Sequence, residues 1–300
     1  MDDIKNFEVD NKIPGKDITD EDLKSKFPLA AKKYDGHKTT IKVGDIEIGG
    51  DELIIFAGPN TVENRDMIIE TAKEVKKRGA HFLRAGAYKP LTFPYRSDSY
   101  FELREKGIEY LKEAKELTGI NVITEIMHIE KIEEISSVSD ILQVGTRNMQ
   151  NYPLLEALGK QKKPVMLKRH YGASLRDWLG AAEYILYNGN PNVILCERGV
   201  SVTHTHRSTS RFLLDLQVIP AARDFTHLPI ISDPSHATFW ADWVPSMCYA
   251  SVGSGVDGVM IEVHPDPRNA ATDPLQPIGF EEFSNVFTKM KKIHNIIKNK

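Results

Sequence analysis

Eight short apolar runs, each followed by a longer polar stretch with helical spacing, constrain this chain more than any other feature. The runs are LIIFAG (53–58), HFLRAGA (81–87), NVITEI (121–126), ILQVG (141–145), PVMLKR (164–169), NVILCERG (192–199), LPIISDP (228–234) and GVMIEVHP (258–265). Runs of this length, rich in Val, Ile and Leu, suit strands buried on both faces. The segments between them, such as 64–78, 101–117, 174–187 and 280–297, space their apolar residues as helices do. Strands alternating with helices imply a parallel sheet. Eight such units in roughly 250 residues match a TIM barrel. The expected fold class is therefore α/β, a (β/α)8 TIM barrel. A doubly wound sheet is the alternative, but no GxGxxG follows the first run.

Residues 1–50 read differently. They are polar with little periodicity, and 1–35 is too short for a core of its own, so it is expected to be an extension. Within 38–50, KTTIKVGDIEIGG alternates apolar and polar residues around glycines, like a short hairpin. The expected division is an N-terminal arm over 1–50 and a catalytic barrel over 51–300. The composition, 41% hydrophobic and 27% charged, is that of a soluble globular chain. A net charge of −3 argues against a nucleic-acid partner. No stretch nears the ~18 apolar residues of a membrane span, and the N-terminus lacks the apolar core of a signal peptide. Two cysteines, Cys196 and Cys248, make no disulfide framework. A cytoplasmic location is expected.

In this fold the chemistry sits at the C-terminal ends of the strands. There the sequence places six cations: Arg84, Lys89, Arg147, Lys168, Arg169 and Arg198. Unpaired charges do not gather in a water-poor funnel without a partner, and a multiply anionic small ligand would compensate them. The bland alternative is that they pair with Glu125, Glu197 and Glu262. A second group, His236, Glu262 and Asp273, has the side chains of a divalent-metal shell, although ion pairing explains it as simply. His128 and His264 read as supporting residues. His204 and His206 have ligand-like spacing, but a solvated loop is the simpler reading. Cys196 lies within a strand and reads as inert.

The stretches FAGPNTVEN, LRAGAYKPLTFPY, QVGTRNMQN, PVMLKRHYGAS, LCERG, ISDPSHAT and MIEVHPDP, spread over about 40–280, resemble those of the short type I-beta 3-deoxy-7-phosphoheptulonate (DAHP) synthases. They resemble 3-deoxy-octulosonate 8-phosphate synthases more distantly. The resemblance implies a transferase that condenses phosphoenolpyruvate with a phosphorylated aldose and releases phosphate. It implies phosphoenolpyruvate contacts at Arg84, Lys89, Glu125, Arg147, Lys168 and Arg198, with Pro90, Thr92 and Thr146 beside them. Arg211 or Arg207 would bind a distal phosphate. Lys89, Asn60, His236, Glu262 and Asp273 would form the catalytic group, Lys89 protonating the new alkoxide. The resemblance also implies a homo-oligomer, a dimer or tetramer, acting in the shikimate pathway.

The chain departs from that pattern in places. Asn60 stands where metal-dependent members have Cys, as in the metal-independent octulosonate synthases. An amide is a poorer ligand than a thiolate for a borderline metal. No tightly bound cofactor is expected, which leaves room only for a weakly held divalent ion at His236, Glu262 and Asp273. Thr146 replaces Ala in GARN, Leu91 replaces the Arg of KPRT, and His170 replaces the Gly of LKRG. Arg96 is a candidate for a displaced cation. Thr146 lies beside the phosphoenolpyruvate pocket, whereas the changes at Leu91 and His170 fall on the acceptor side, so a different aldehyde acceptor is one alternative. A non-catalytic phosphoenolpyruvate-binding homologue is another.

Overall fold

The computed structural model of the chain describes residues 20–90, 102–203, 206 and 212–298. The eight apolar runs become eight parallel strands: β3 (Ile54–Gly58), β4 (Phe82–Arg84), β5 (Asn121–Glu125), β6 (Ile141–Val144), β7 (Val165–Lys168), β8 (Val193–Glu197), β11 (Ile230–Ser232) and β12 (Gly258–Glu262). They pair in that order, and β12 returns to β3, so the sheet closes into a barrel. Two antiparallel pairs lie outside it. The first is β1 (Ile41–Val43) with β2 (Ile46–Ile48), the hairpin expected from the alternation over 38–50. The second is β9 (Val200–Ser201) with β10 (Phe212–Leu213), after β8.

Ten α-helices lie among the described residues: α1 (Asp20–Lys24), α2 (Arg65–Lys77), α3 (Glu105–Thr118), α4 (Ile132–Val138), α5 (Tyr152–Gly159), α6 (Leu175–Tyr187), α7 (Val218–Phe225), α8 (Pro234–Thr238), α9 (Val244–Gly253) and α10 (Phe280–Lys298). Local chemistry starts several of them. Asn64 accepts the Met67 amide at the head of α2. Ser174 and Asp177 cap α6 reciprocally, which satisfies amides that otherwise have no partner within the helix.

The apolar residues divide into two sets by strand parity, because successive side chains on a strand face opposite ways. One set packs between strands and helices. The other fills the barrel and includes Phe56, Phe82, Ile123, Ile141, Met166, Ile194, Cys196, Ile231 and Met260. Ile41, Val43 and Ile48 of the hairpin join that inner set, so the hairpin closes the end of the barrel at which the strands begin. The segment ahead of the hairpin is tied down too. Phe27, Ala30 and Ala31 are buried, and the Glu183 carboxylate of α6 accepts the Leu29 and Ala30 amides at 2.8 Å each.

Candidate active site

Two residues further along seven of the eight strands, the inward position changes from apolar to polar; on β3, Phe56 is followed by Gly58. Phe82 is followed by Arg84, Ile123 by Glu125, Ile141 by Gln143, Met166 by Lys168, Cys196 by Arg198, Ile231 by Asp233 and Met260 by Glu262. All seven polar residues are buried. The two-residue period thus stacks a charged layer directly on an apolar one. Above it opens a cleft of about 390 Å³, lined by Asn60, Arg84, Lys89, Pro90, Glu125, Gln143, Gly145, Thr146, Arg147, Lys168, Tyr171, Arg198, Ser201, Phe212, His236, Phe239, Thr272, Asp273 and Gln276.

Five of the six cations line this cleft, and Arg169 does not. Strand parity explains the exception, since Arg169 and Glu197 are each one residue off the inward register. Arg169 Nη1 donates to Glu197 at 3.0 Å and to Asp215 at 2.8 Å, and its guanidinium lies 5.9 Å from the Trp178 ring of α6. It is an ion-paired wall residue. Lys168 lines the cleft and is also ion-paired, its Nζ lying 2.6 Å from Asp233. Asp233 also accepts the His236 amide at the head of α8, at 3.2 Å, so one carboxylate ties β7 to that turn.

Asn60 sits at the centre of the polar network. Its Oδ1 accepts from Lys89 Nζ at 2.6 Å and Arg84 Nη2 at 3.0 Å, and its Nδ2 donates to Asp273 at 3.0 Å. Arg84 Nη2 also stands 3.3 Å from His236 Nε2, while His236 Nδ1 lies 3.0 Å from Asp233. With Arg84 as the donor, the proton of a neutral His236 sits on Nδ1. Burial accordingly holds the imidazole pKa well below its usual value. Glu262 lies just behind, 3.7 Å from Arg84 and 4.0 Å from His236, and accepts from Gln276.

Burial also sets the other titrations. It lowers the Lys89 ammonium to about 8 and raises the Glu262 carboxyl to about 7, against the pull of Arg84. It pushes Arg198 below the usual guanidinium range. Arg198 Nη1 is buried without a hydrogen-bond partner, as are the acceptors Glu125 Oε1 and Gln143 Oε1. Gly145 leaves room for the Glu125 carboxylate, which an added Cβ there would displace. Cys196 is buried and its thiol raised far above the ordinary range, as an inert residue should be.

The site residues named from the sequence therefore converge where they are described. Asn60, Arg84, Lys89, Pro90, Glu125, Thr146, Arg147, Lys168, Arg198, His236 and Asp273 line the cleft, with Glu262 against it. Thr92 and Arg211 lie outside the described residues, as do Leu91, Arg96, Arg207 and His204. The His206 ring meets the edge of the Trp243 ring at 6.3 Å. His264 bonds Glu63 at 3.1 Å, and His128 stands off the cleft beside Glu130. Gln143 and Gln276 are not singled out by the sequence reading, and the two-residue step from a buried apolar neighbour finds the first of them.

The donor atoms of the expected metal shell are engaged with protein partners. Asn60 Oδ1 already receives two cations, Asp273 accepts the Asn60 amide, and His236 Nε2 faces Arg84. Among the described residues no three His, Cys, Asp or Glu come together as a metal-holding group.

A (β/α)8 barrel whose open end holds a small cationic cleft is the architecture of an enzyme for small anionic substrates. The chain belongs to the DAHP synthetase I family, whose model matches residues 26–299. The phospho-2-dehydro-3-deoxyheptonate aldolase of Thermotoga maritima is 40% identical over 267 residues, 89% of this chain and 77% of that protein. The 2-dehydro-3-deoxyphosphooctonate aldolase of Geotalea uraniireducens is 28% identical over 279 residues, 86% of this chain and 98% of that one. The crystal structure of the Thermotoga maritima DAHP synthase superposes with a TM-score of 0.83 at 39% identity, covering 90% of this chain and 77% of that chain. A truncated form of the Thermotoga maritima synthase gives 0.81 at 37%, covering 91% and 98%.

Proposed function

We propose that this chain is a DAHP synthase-type transferase that joins phosphoenolpyruvate to a phosphorylated aldose, erythrose 4-phosphate or a related aldehyde. The observation that carries the reading is the buried, unpartnered Arg198 Nη1 in a cleft shared with Arg84, Lys89, Arg147 and Lys168. Guanidinium and ammonium groups held in a low-dielectric floor are worth most to a ligand with both a carboxylate and a phosphate. C3 of phosphoenolpyruvate attacks the aldehyde carbon, water adds at C2, and the resulting hemiketal phosphate collapses to the 2-keto acid and inorganic phosphate. Lys89, near neutral pKa, delivers the proton to the new alkoxide. The cations hold the donor in line for this attack, so positioning and electrostatics supply the acceleration.

The same reading includes catalysis without a tightly bound metal, supported by the engagement of Asn60 Oδ1 with Arg84 and Lys89. It includes a homo-oligomer in the cytoplasm. The exposed Tyr152, Tyr184 and Tyr187 on α5 and α6 are in keeping with a contact between copies, and no helix among the described residues is long and apolar enough to cross a membrane.

The test is to incubate the protein with phosphoenolpyruvate and a panel of phosphorylated and free aldoses, following phosphoenolpyruvate loss and phosphate release. Stoichiometric turnover with a phosphorylated aldose is expected. Phosphoenolpyruvate binding without turnover of any aldose would refute the reading.

A further inference from the structure

Phe239 ends α8 in the left-handed region, with φ 61 and ψ 3, and its side chain lines the cleft. A bulky side chain seldom adopts that backbone, and where it does the surrounding site holds it there. Glycine would sit in the same place without strain and would leave the cleft wider.

Two more aromatic residues, Tyr171 and Phe212, line the same cleft. The β9–β10 hairpin and α8 are pressed together at Gly199, which has φ +100 and where an added Cβ would stand 3.0 Å from the Cβ atoms of both Ala237 and Phe212. On its other flank the Phe212 ring lies 5.7 Å from that of Tyr171, which is backed by His170 at 4.1 Å. Tyr171, Phe212 and Phe239 all line the cleft. Exposure orders the cleft by depth. Arg84, Lys168 and Arg198 are 3%, 3% and 8% exposed, whereas Tyr171 is 36% exposed. Charge therefore forms the floor, with Arg147 adding an exposed cation at the mouth, and the aromatic rings form a wall that starts at the floor, where the Arg198 guanidinium lies 4.3 Å from the Phe212 ring centroid, and rises to Tyr171 at the mouth.

The donor needs the floor, since its two anionic groups require cations. The second reactant must then approach from the mouth, along the aromatic wall. Ring faces pack against the C–H face of a carbon chain and carry no net charge. A cleft of about 390 Å³ is at the small end for ligand sites, so beside phosphoenolpyruvate it has space for one short acceptor.

We propose that Tyr171, Phe212 and Phe239 form the acceptor subsite, and that Phe239 is its specificity-determining residue, restricting the aldehyde to a short carbon chain. This rests on the condensation reading above. The test compares the full chain with Phe239→Gly and Tyr171→Ala, using phosphoenolpyruvate with erythrose 4-phosphate and with the five-carbon ribose and arabinose 5-phosphates. For Phe239→Gly, kcat/KM for the five-carbon aldoses relative to the four-carbon one should rise at least fivefold. The KM for phosphoenolpyruvate should stay within twofold, and the melting temperature should be unchanged or higher, because glycine accepts the left-handed backbone. A smaller change in that ratio in the folded variant overturns the proposal. Tyr171→Ala, at the exposed rim, should raise the acceptor KM at least threefold while the phosphoenolpyruvate KM holds. If Phe239→Gly does not fold, this second variant decides alone, and an unmoved acceptor KM overturns the subsite. Absence of turnover by the unaltered protein with every aldose would instead overturn the condensation reading, and the subsite with it.

Discussion

Replacing Arg169 by methionine separates the structural cation from the substrate-binding ones. The change keeps an unbranched apolar stem but leaves Glu197, which is fully buried, without its guanidinium partner. Breaking a buried ion pair from one side costs about 3–5 kcal/mol. Two backbone amides remain to stabilise the carboxylate, Gly199 at 2.7 Å and Asp215 at 3.3 Å, which argues for the lower end, ~3 kcal/mol. For a chain of 300 residues the transition entropy is about 0.6 kcal/mol/K, so the melting temperature should fall by about 5 °C. The loss should depend on pH. Burial already raises the Glu197 carboxyl above its ordinary value while Arg169 pulls it down. Without Arg169 the pKa rises further, and the native state keeps a proton that the unfolded chain releases. Stability then falls as pH rises from the ordinary carboxyl value through the raised one. The deficit should therefore be smallest in acid and largest at neutral pH, and adding Glu197→Gln should recover much of it. Thermal unfolding followed by circular dichroism across pH measures this, alongside the KM for phosphoenolpyruvate, which should stay within about threefold. A variant that melts like the parent but binds phosphoenolpyruvate tenfold more weakly would refute the strand-parity argument.

Two further outcomes are expected. Lys89→Ala should lower kcat by about 10²–10³-fold, within the usual range for a general acid. In the parent, kcat should decline as pH rises through about 8, where Lys89 loses its proton; a kcat for Lys89→Ala within tenfold of the parent would remove Lys89 from the chemistry. Dialysis against EDTA should leave kcat within about twofold, because no strong ligand set competes with the cations around Asn60. Loss of activity that only an added divalent metal restores would refute this.

The strands were legible because each is buried on both faces and written as an unbroken apolar run. The hairpin over 38–50 was legible from its alternation. The cations were found by asking what stands at strand ends, a coarser question than which way each residue faces. That coarseness admitted Arg169, adjacent in sequence to Lys168 but on the opposite side of the wall. It also passed over Gln143, which is uncharged and looks like an ordinary strand residue until its register with Ile141 is considered. The Lys168–Asp233 pair joins β7 to the end of β11 across 65 positions, a closeness that no local pattern encodes. Phe239 was beyond reach for another reason. Its significance lies in a backbone angle, and the sequence ATFW carries no turn signal that predicts it.

The hairpin at the foot of the barrel makes the interior a blind tube. Ile41, Val43 and Ile48 stopper one end with the same apolar material that fills the bore, so traffic is confined to the mouth. Acceptor, attacking water and departing phosphate must share one doorway, and the last molecule in stands in the path of the first one out. For such a vessel the order of arrivals and departures is a property of its shape as much as of its chemistry.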